Sequence, residues 1–169
     1  MRDRQFDPKP LLEALQHHDV DFIVVGAAAA ISQGSPLPTY DLDVTPARDP
    51  QNMERIVAAL LEIHATLRTP GQPVAFPIDA RMLAAGEAWT LETNFGSLDL
   101  VFVPAGTQGY DDLRRDALLV DLGTERPVLV ASIRDVIRMK EASNREKDRA
   151  QLPALRRTLE LIRAREQDR

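Results

Sequence analysis

Phe22-Ile23-Val24-Val25-Gly26-Ala27-Ala28-Ala29-Ala30-Ile31, followed by Gly34-Ser35-Pro36-Leu37-Pro38-Thr39-Tyr40-Asp41-Leu42-Asp43-Val44, decides the fold class. Phe22 to Val25 is a short apolar run rich in β-branched residues, which reads as a buried strand ending at Gly26. The small, helix-favouring residues behind it predict a short helix packed close against that strand. The Gly34 to Pro38 stretch breaks the helix. Asp41 to Val44 then alternates strictly between polar and apolar, the period of a strand.

Upstream, Asp7-Pro8 reads as an N-cap and a first-turn proline, with Leu11, Leu12, Leu15 and His18 at helical spacing behind them. Downstream, Asp49-Pro50 opens another helix whose stripe is Met53, Ile56, Val57, Leu60 and Leu61. Residues 69–86 hold Pro70, Pro73 and Pro77, and no element is assigned there. Residues 89–93 and 98–103 read as strands joined by a hairpin at Asn94-Phe95-Gly96. A short helix is expected over 110–117 and two edge strands over 118–122 and 128–130. Ser132 with Asp135 resembles a capping box, so a helix with Ile133, Val136, Ile137 and Met139 follows. Pro153 is expected to open a last helix, with Leu155, Leu159 and Ile162 on its buried side.

Strands mixed with helices, then helices alone, predict an α+β (α/β two-layer) fold with a mixed sheet. The expected division is a core over residues 1–131 and a C-terminal helical extension over 132–169, packed on the core as one structural unit. The 169 residues suit one such domain. Aromatics are only 5%, so Leu, Val, Ile and Ala must fill the core.

The net charge of −5 argues against a general nucleic-acid coat, which needs a broad basic surface. It leaves room for a local basic patch, since residues 134–169 are rich in Arg and Lys. With no cysteine there is neither a disulfide nor a thiolate metal site, and a reducing compartment is expected. No apolar segment follows Met1-Arg2-Asp3-Arg4 to act as a signal peptide, and no run approaches the ~18 apolar residues of a membrane span. A cytoplasmic protein without membrane contact is predicted.

Asp41 and Asp43, two apart on a strand, point to one face while Leu42 and Val44 point to the core. Paired carboxylates repel and lose solvation, a cost that a cation offsets. Hard oxygen ligands suit Mg2+ or Mn2+. Asp99 lies in a second apolar strand, and if the two strands are neighbours it completes a three-carboxylate cluster. Such a cluster can hold two metals roughly 3.5–4 Å apart and serve phosphoryl transfer.

The hydrophobic-Gly26-Ala27 turn, the short helix, and Gly34-Ser35-Pro36-Leu37-Pro38-Thr39-Tyr40-Asp41-Leu42-Asp43 resemble the first signature of the DNA polymerase beta superfamily of nucleotidyltransferases. They resemble more closely its small AbiEii-like branch, which includes toxins of toxin–antitoxin pairs. The tail Lys140-Glu141-Ala142-Ser143-Asn144-Arg145-Glu146-Lys147-Asp148 is similar to that branch's Lys…Arg-x-Lys-Asp motif. The resemblance spans about Leu11 to Leu161. It implies a minimal nucleotidyltransferase core that moves a nucleoside monophosphate from an NTP to an acceptor hydroxyl on RNA (such as tRNA), a protein or a small molecule. An antitoxin partner is implied with the toxin role.

In that family Asp41 and Asp43 would bind both metals and the triphosphate. Asp99 would bind the catalytic metal and help deprotonate the acceptor. Gly26 would let backbone amides approach phosphates, Ala27 and Thr39 would line the nucleotide site, and Lys140 and Lys147 would steady phosphates. Two positions depart from the pattern. Ala27 replaces the usual Gly or Ser and removes a hydroxyl, and Leu37 replaces the usual Arg and removes a cation.

Those departures favour one rival, a non-catalytic nucleotide- or partner-binding module of the same fold. A second rival, an antibiotic-modifying nucleotidyltransferase, would be expected to need more chain for its substrate. His17, His18 and His64 lack ligand-like spacing, so zinc is not expected. The Arg-rich end of the chain reads as a solvated helix face.

Overall fold

The computed structural model describes residues 5–72 and 74–169, so the reading made of residues 1–4 and of Pro73 falls outside it. In chain order the elements are α1 (Lys9–His17), β1 (Phe22–Val25), α2 (Gly26–Ser32), β2 (Asp41–Pro46), α3 (Pro50–Glu62), β3 (Thr66–Leu67), α4 (Ala80–Ala85), β4 (Ala88–Thr93), β5 (Gly96–Val101), α5 (Tyr110–Arg114), β6 (Leu118–Val120), β7 (Val128–Val130), α6 (Ile133–Ser143) and α7 (Glu146–Gln167). The seven strands form one mixed sheet in the order β3-β4-β5-β2-β1-β7-β6. β2 runs parallel to β5 and antiparallel to β1, and β1 runs parallel to β7. This is the expected α+β fold with a mixed sheet, helices packed on it and a C-terminal helix.

The apolar strand pattern builds the core directly. Leu42 pairs with Leu98, and Leu98 with Leu91, so all three share a face of the sheet with Val44 and Leu100. All five are fully buried. α1 packs on α3 and α3 on α4, while α2 packs on α6 and α6 on α7. The α6 end is stitched to the core by Gln33. Its Nε2 donates to the Ala131 carbonyl and its Oε1 accepts from the Ile133 amide, each at 2.9 Å.

Several elements differ from the sequence expectation. Pro153 does not open the last helix but lies inside α7, which begins at Glu146. A proline costs about 3 kcal/mol in a helix interior. Here α7 is nucleated upstream by Asp148, whose carboxylate accepts from the Arg145 backbone amide at 3.1 Å, and is held by buried Leu152 and Leu155. The 69–86 stretch, left unassigned, contains α4, capped where the Asp79 side chain accepts from the Met82 amide at 2.8 Å. β7 is not an edge strand, because β6 lies outside it. β3, two residues long, forms the opposite edge and gave no signal. The hairpin forms, but its turn is Asn94-Phe95 alone: Gly96 pairs with Thr93 and opens β5, which ends at Val101 rather than at Val103.

One buried polar residue fixes the entry to β1 and the exit from β2. Asn52, fully buried on α3, accepts from the Asp21 amide at 2.8 Å and donates to the carbonyls of Asp21 at 3.0 Å and Ala47 at 2.7 Å. Removing it takes the partner from the Asp21 amide and the Ala47 carbonyl, while the Asp21 carbonyl keeps only its bond from the Ala47 amide at 2.9 Å. Asn52→Ala should therefore lower unfolding stability by about 2–4 kcal/mol in urea titration, with the denaturant slope unchanged. A loss below ~1 kcal/mol would show that water replaces the amide at no cost.

Candidate active site

β2 and β5 are neighbours, and their register places Asp43 opposite Asp99 and Asp41 opposite Ser97. Since Leu42 and Leu98 take the core side, Asp41, Asp43 and Asp99 emerge together on the other face. One carboxylate oxygen from each lies within 4.8 Å of the others, and among the described residues no other acid or histidine group converges so. The Thr39 hydroxyl donates to the Asp41 carbonyl at 2.8 Å and fixes the chain as it enters β2.

Gly26 makes room for this arrangement. Its φ is +65°, a left-handed conformation that favours glycine. A Cβ built there would overlap Oδ2 of Asp43. Asp43 can hold its position only because residue 26 has no side chain.

The three carboxylates perturb one another. Burial, then the charges of Asp41 and Asp99, push the Asp43 carboxyl up to about 7. Asp41 is raised by burial and by the Asp99 charge, against the opposing charges of Arg68, Lys147 and Lys140. Hard oxygens this close, whose repulsion the nearby cations offset only in part, fit a divalent ion such as Mg2+ or Mn2+.

Two groups of cations border the cluster. Arg68, just beyond β3, donates through Nη2 to Asp99 Oδ1 at 2.8 Å and to the Leu91 carbonyl at 2.9 Å. On the other side a cleft is lined by Gly26, Asp43, Met139, Lys140, Arg145 and Asp148. Asp148 is fully buried and organises that side. Lys140 Nζ lies 3.1 Å from its Oδ1, and Arg145 Nε lies 2.8 Å from its Oδ2. Burial alone would raise the Asp148 carboxyl. Hydrogen bonds from Arg145, Ser143 and Lys140 outweigh it and hold the group well below the usual carboxylate range.

The structure thus brings Asp41, Asp43, Asp99, Gly26 and Lys140 together. Ala27 is half-buried in the first turn of α2, and Lys147 is exposed, acting on Asp41 through charge. Thr39 lies apart from the Lys140 cleft, in a groove with Tyr40, Glu92, Phe95 and Ser97. Leu37 packs against the core. His18 pairs with Glu62, as His17 does more distantly, and His64 contacts Asn94, all on the surface. Sequence reasoning missed Arg68, because a two-residue strand has no readable period. It quoted Arg145 and Asp148 only as motif letters.

Asp43 generates a pH prediction for the metal-free protein. An unfolded aspartate titrates at about 4, and the folded one at about 7. The folded state therefore holds the proton more tightly. That contribution to stability is complete below about pH 4 and is lost as pH rises through about 7. Asp43→Asn lacks the titration, so its melting temperature should gain on wild type by several degrees between about pH 5 and about pH 8. Roughly 2–4 °C corresponds to ~1 kcal/mol at this chain size. A gap that stays constant across that range would mean that Asp43 ionises without penalty.

No family model matches the sequence, and no curated protein matches it by sequence. Solved structures do resemble it. The lincosamide antibiotic adenylyltransferase LnuA, determined with lincomycin bound, superposes with a TM-score of 0.57 at 15% identity, over 87% of this chain and 92% of that one. The antibiotic-resistance factor ANT(2'')-Ia superposes with a TM-score of 0.53 at 13% identity, over 94% of this chain and 88% of that one. At such identities the likeness speaks for architecture, and the architecture is the nucleotidyltransferase fold.

Proposed function

We propose that the chain is a metal-dependent nucleotidyltransferase that moves a nucleoside monophosphate from an NTP to an acceptor hydroxyl. One observation carries this reading: Asp41, Asp43 and Asp99 converge on the open face of the sheet within a nucleotidyltransferase fold. The acceptor oxygen forms a bond to the α-phosphorus, the bond from that phosphorus to the bridging oxygen breaks, and pyrophosphate leaves. Bound divalent ions would supply the positive charge that offsets the triphosphate and the developing charge on the phosphoryl group.

The chain's own residues do the rest. Asp41 and Asp43 hold the ion-carrying triphosphate, and Asp99 orients the acceptor hydroxyl and takes up its proton. Lys140 and Arg145, fixed by Asp148, face the phosphates across the cleft that Gly26 leaves open. Lys147 adds charge from the start of α7. Among the described residues no helix is long and apolar enough to cross a membrane. The partners proposed are an NTP and an acceptor.

The acceptor is an RNA such as tRNA, a protein or a small molecule, and the toxin role with an antitoxin partner belongs to the AbiEii-like resemblance. One comparison removes an objection to a small molecule. The expectation that antibiotic modification needs a longer chain does not hold, since 92% of LnuA is covered by the match. Ala27 and Leu37 favour the remaining alternative, a catalytically weak or inactive binding module.

The test is incubation with each labelled NTP, Mg2+, and in parallel total RNA, cell protein or a panel of hydroxylated antibiotics including lincomycin. Labelled product in any arm is expected and names the acceptor class. Asp99→Ala should keep binding the metal–NTP, read as a thermal shift, yet lose transfer by roughly 10³-fold or more, because it acts mainly in the transition state. Binding with no product from wild type in any arm would favour the inactive module. Absence of any metal–NTP thermal shift would sink the transferase and the nucleotide-binding module, and leave only a partner-binding one.

A further inference from the structure

Among the described residues, Arg68 alone is ion-paired to a member of the acidic cluster. It is held firmly. Its backbone amide donates to the Thr90 carbonyl at 3.0 Å, and its Nη2 is shared between Asp99 and the Leu91 carbonyl. Its Nε lies 3.6 Å from Glu92 Oε2, is buried, and has no hydrogen-bond partner. Register explains the placement. Thr90 lies opposite Asp99 and Glu92 opposite Ser97, so Glu92 rises from the same face as the cluster. A guanidinium fixed beside the cluster places a permanent positive charge where an oxyanion would arrive.

We infer that Arg68 selects what the acidic cluster accepts, disfavouring a bare divalent ion and favouring a metal–triphosphate complex. The inference rests on the nucleotidyltransferase reading above and assigns to Arg68 the cationic role that Leu37 leaves vacant. The physics has opposite signs for the two ligands. A bare divalent ion enters against the repulsion of a fixed positive charge that already neutralises part of Asp99. A metal–triphosphate is a net anion, so the same charge attracts it. At protein-like screening, one charge a few ångströms away is worth a kilocalorie or more, which corresponds to about tenfold in affinity.

The experiment titrates metal-free wild type, Arg68→Gln and Arg68→Lys with Mn2+ alone, following free Mn2+ by electron paramagnetic resonance. It then titrates them with Mn2+ and each of the four NTPs in the absence of an acceptor, by calorimetry. Arg68→Gln should bind bare Mn2+ about tenfold tighter and the Mn2+–NTP about tenfold more weakly. Arg68→Lys should stay within about threefold of wild type in both. A variant that merely misfolds would lose both affinities, so the gain for bare Mn2+ separates selection from damage. If Arg68→Gln moves both affinities the same way, moves neither, or is matched by Arg68→Lys, the inference is overturned while the functional reading stands. If wild type binds no Mn2+–NTP, the functional reading falls and takes the inference with it.

Discussion

The structure turns on the mutual repulsion of Asp41, Asp43 and Asp99, held on adjacent parallel strands. Nothing in the local chain relieves it, since i, i+2 spacing and cross-strand register both force the side chains to one face. The core tolerates it because the alternate residues of the same strands, Leu42, Val44, Leu98 and Leu100, are fully buried. Each such side chain contributes about 1.5–3 kcal/mol, enough together to hold the strands in register against the charges. The anchoring face and the reactive face are the same residues counted odd and even.

Cations are arranged around that repulsion from two directions and by two different devices. Arg68 reaches in from the edge of the sheet and touches the cluster directly. Lys140 and Arg145 come from the helical tail and are restrained by Asp148, which spends its own charge on them rather than on a metal. A buried ion pair of this kind is a poor source of net stability. Its effect is positional, since it brings two long, flexible side chains from separate places in the tail to one wall of the cleft.

Much of this was legible in the sequence. The strand at residues 22–25, the alternation at residues 41–44 and the lone acid in the apolar run at Asp99 each followed a single period, and periodicity is what one chain displays without help. Pairing of β2 with β5 was conditional in the sequence and was supplied by tertiary structure. What stayed hidden was either too short to have a period, as with Arg68 beyond β3, or was overridden from a distance. Pro153 carries a strong local instruction to begin a helix, yet the buried Asp148 had already started one. The resemblance directed attention to Leu37 as a lost cation, but a chain read in one dimension cannot show that a different strand edge brings Arg68 to the neighbouring carboxylate.

Gly26 adds no group to the chemistry, yet Asp43 occupies the volume that any other residue would claim. The emptiness at that position is itself a component of the site. Its importance would be invisible to an inventory of functional groups and plain in a survey of tolerated substitutions. There, a residue with no side chain to donate, accept or ligate would behave as strictly as the carboxylates, for reasons of space and backbone conformation.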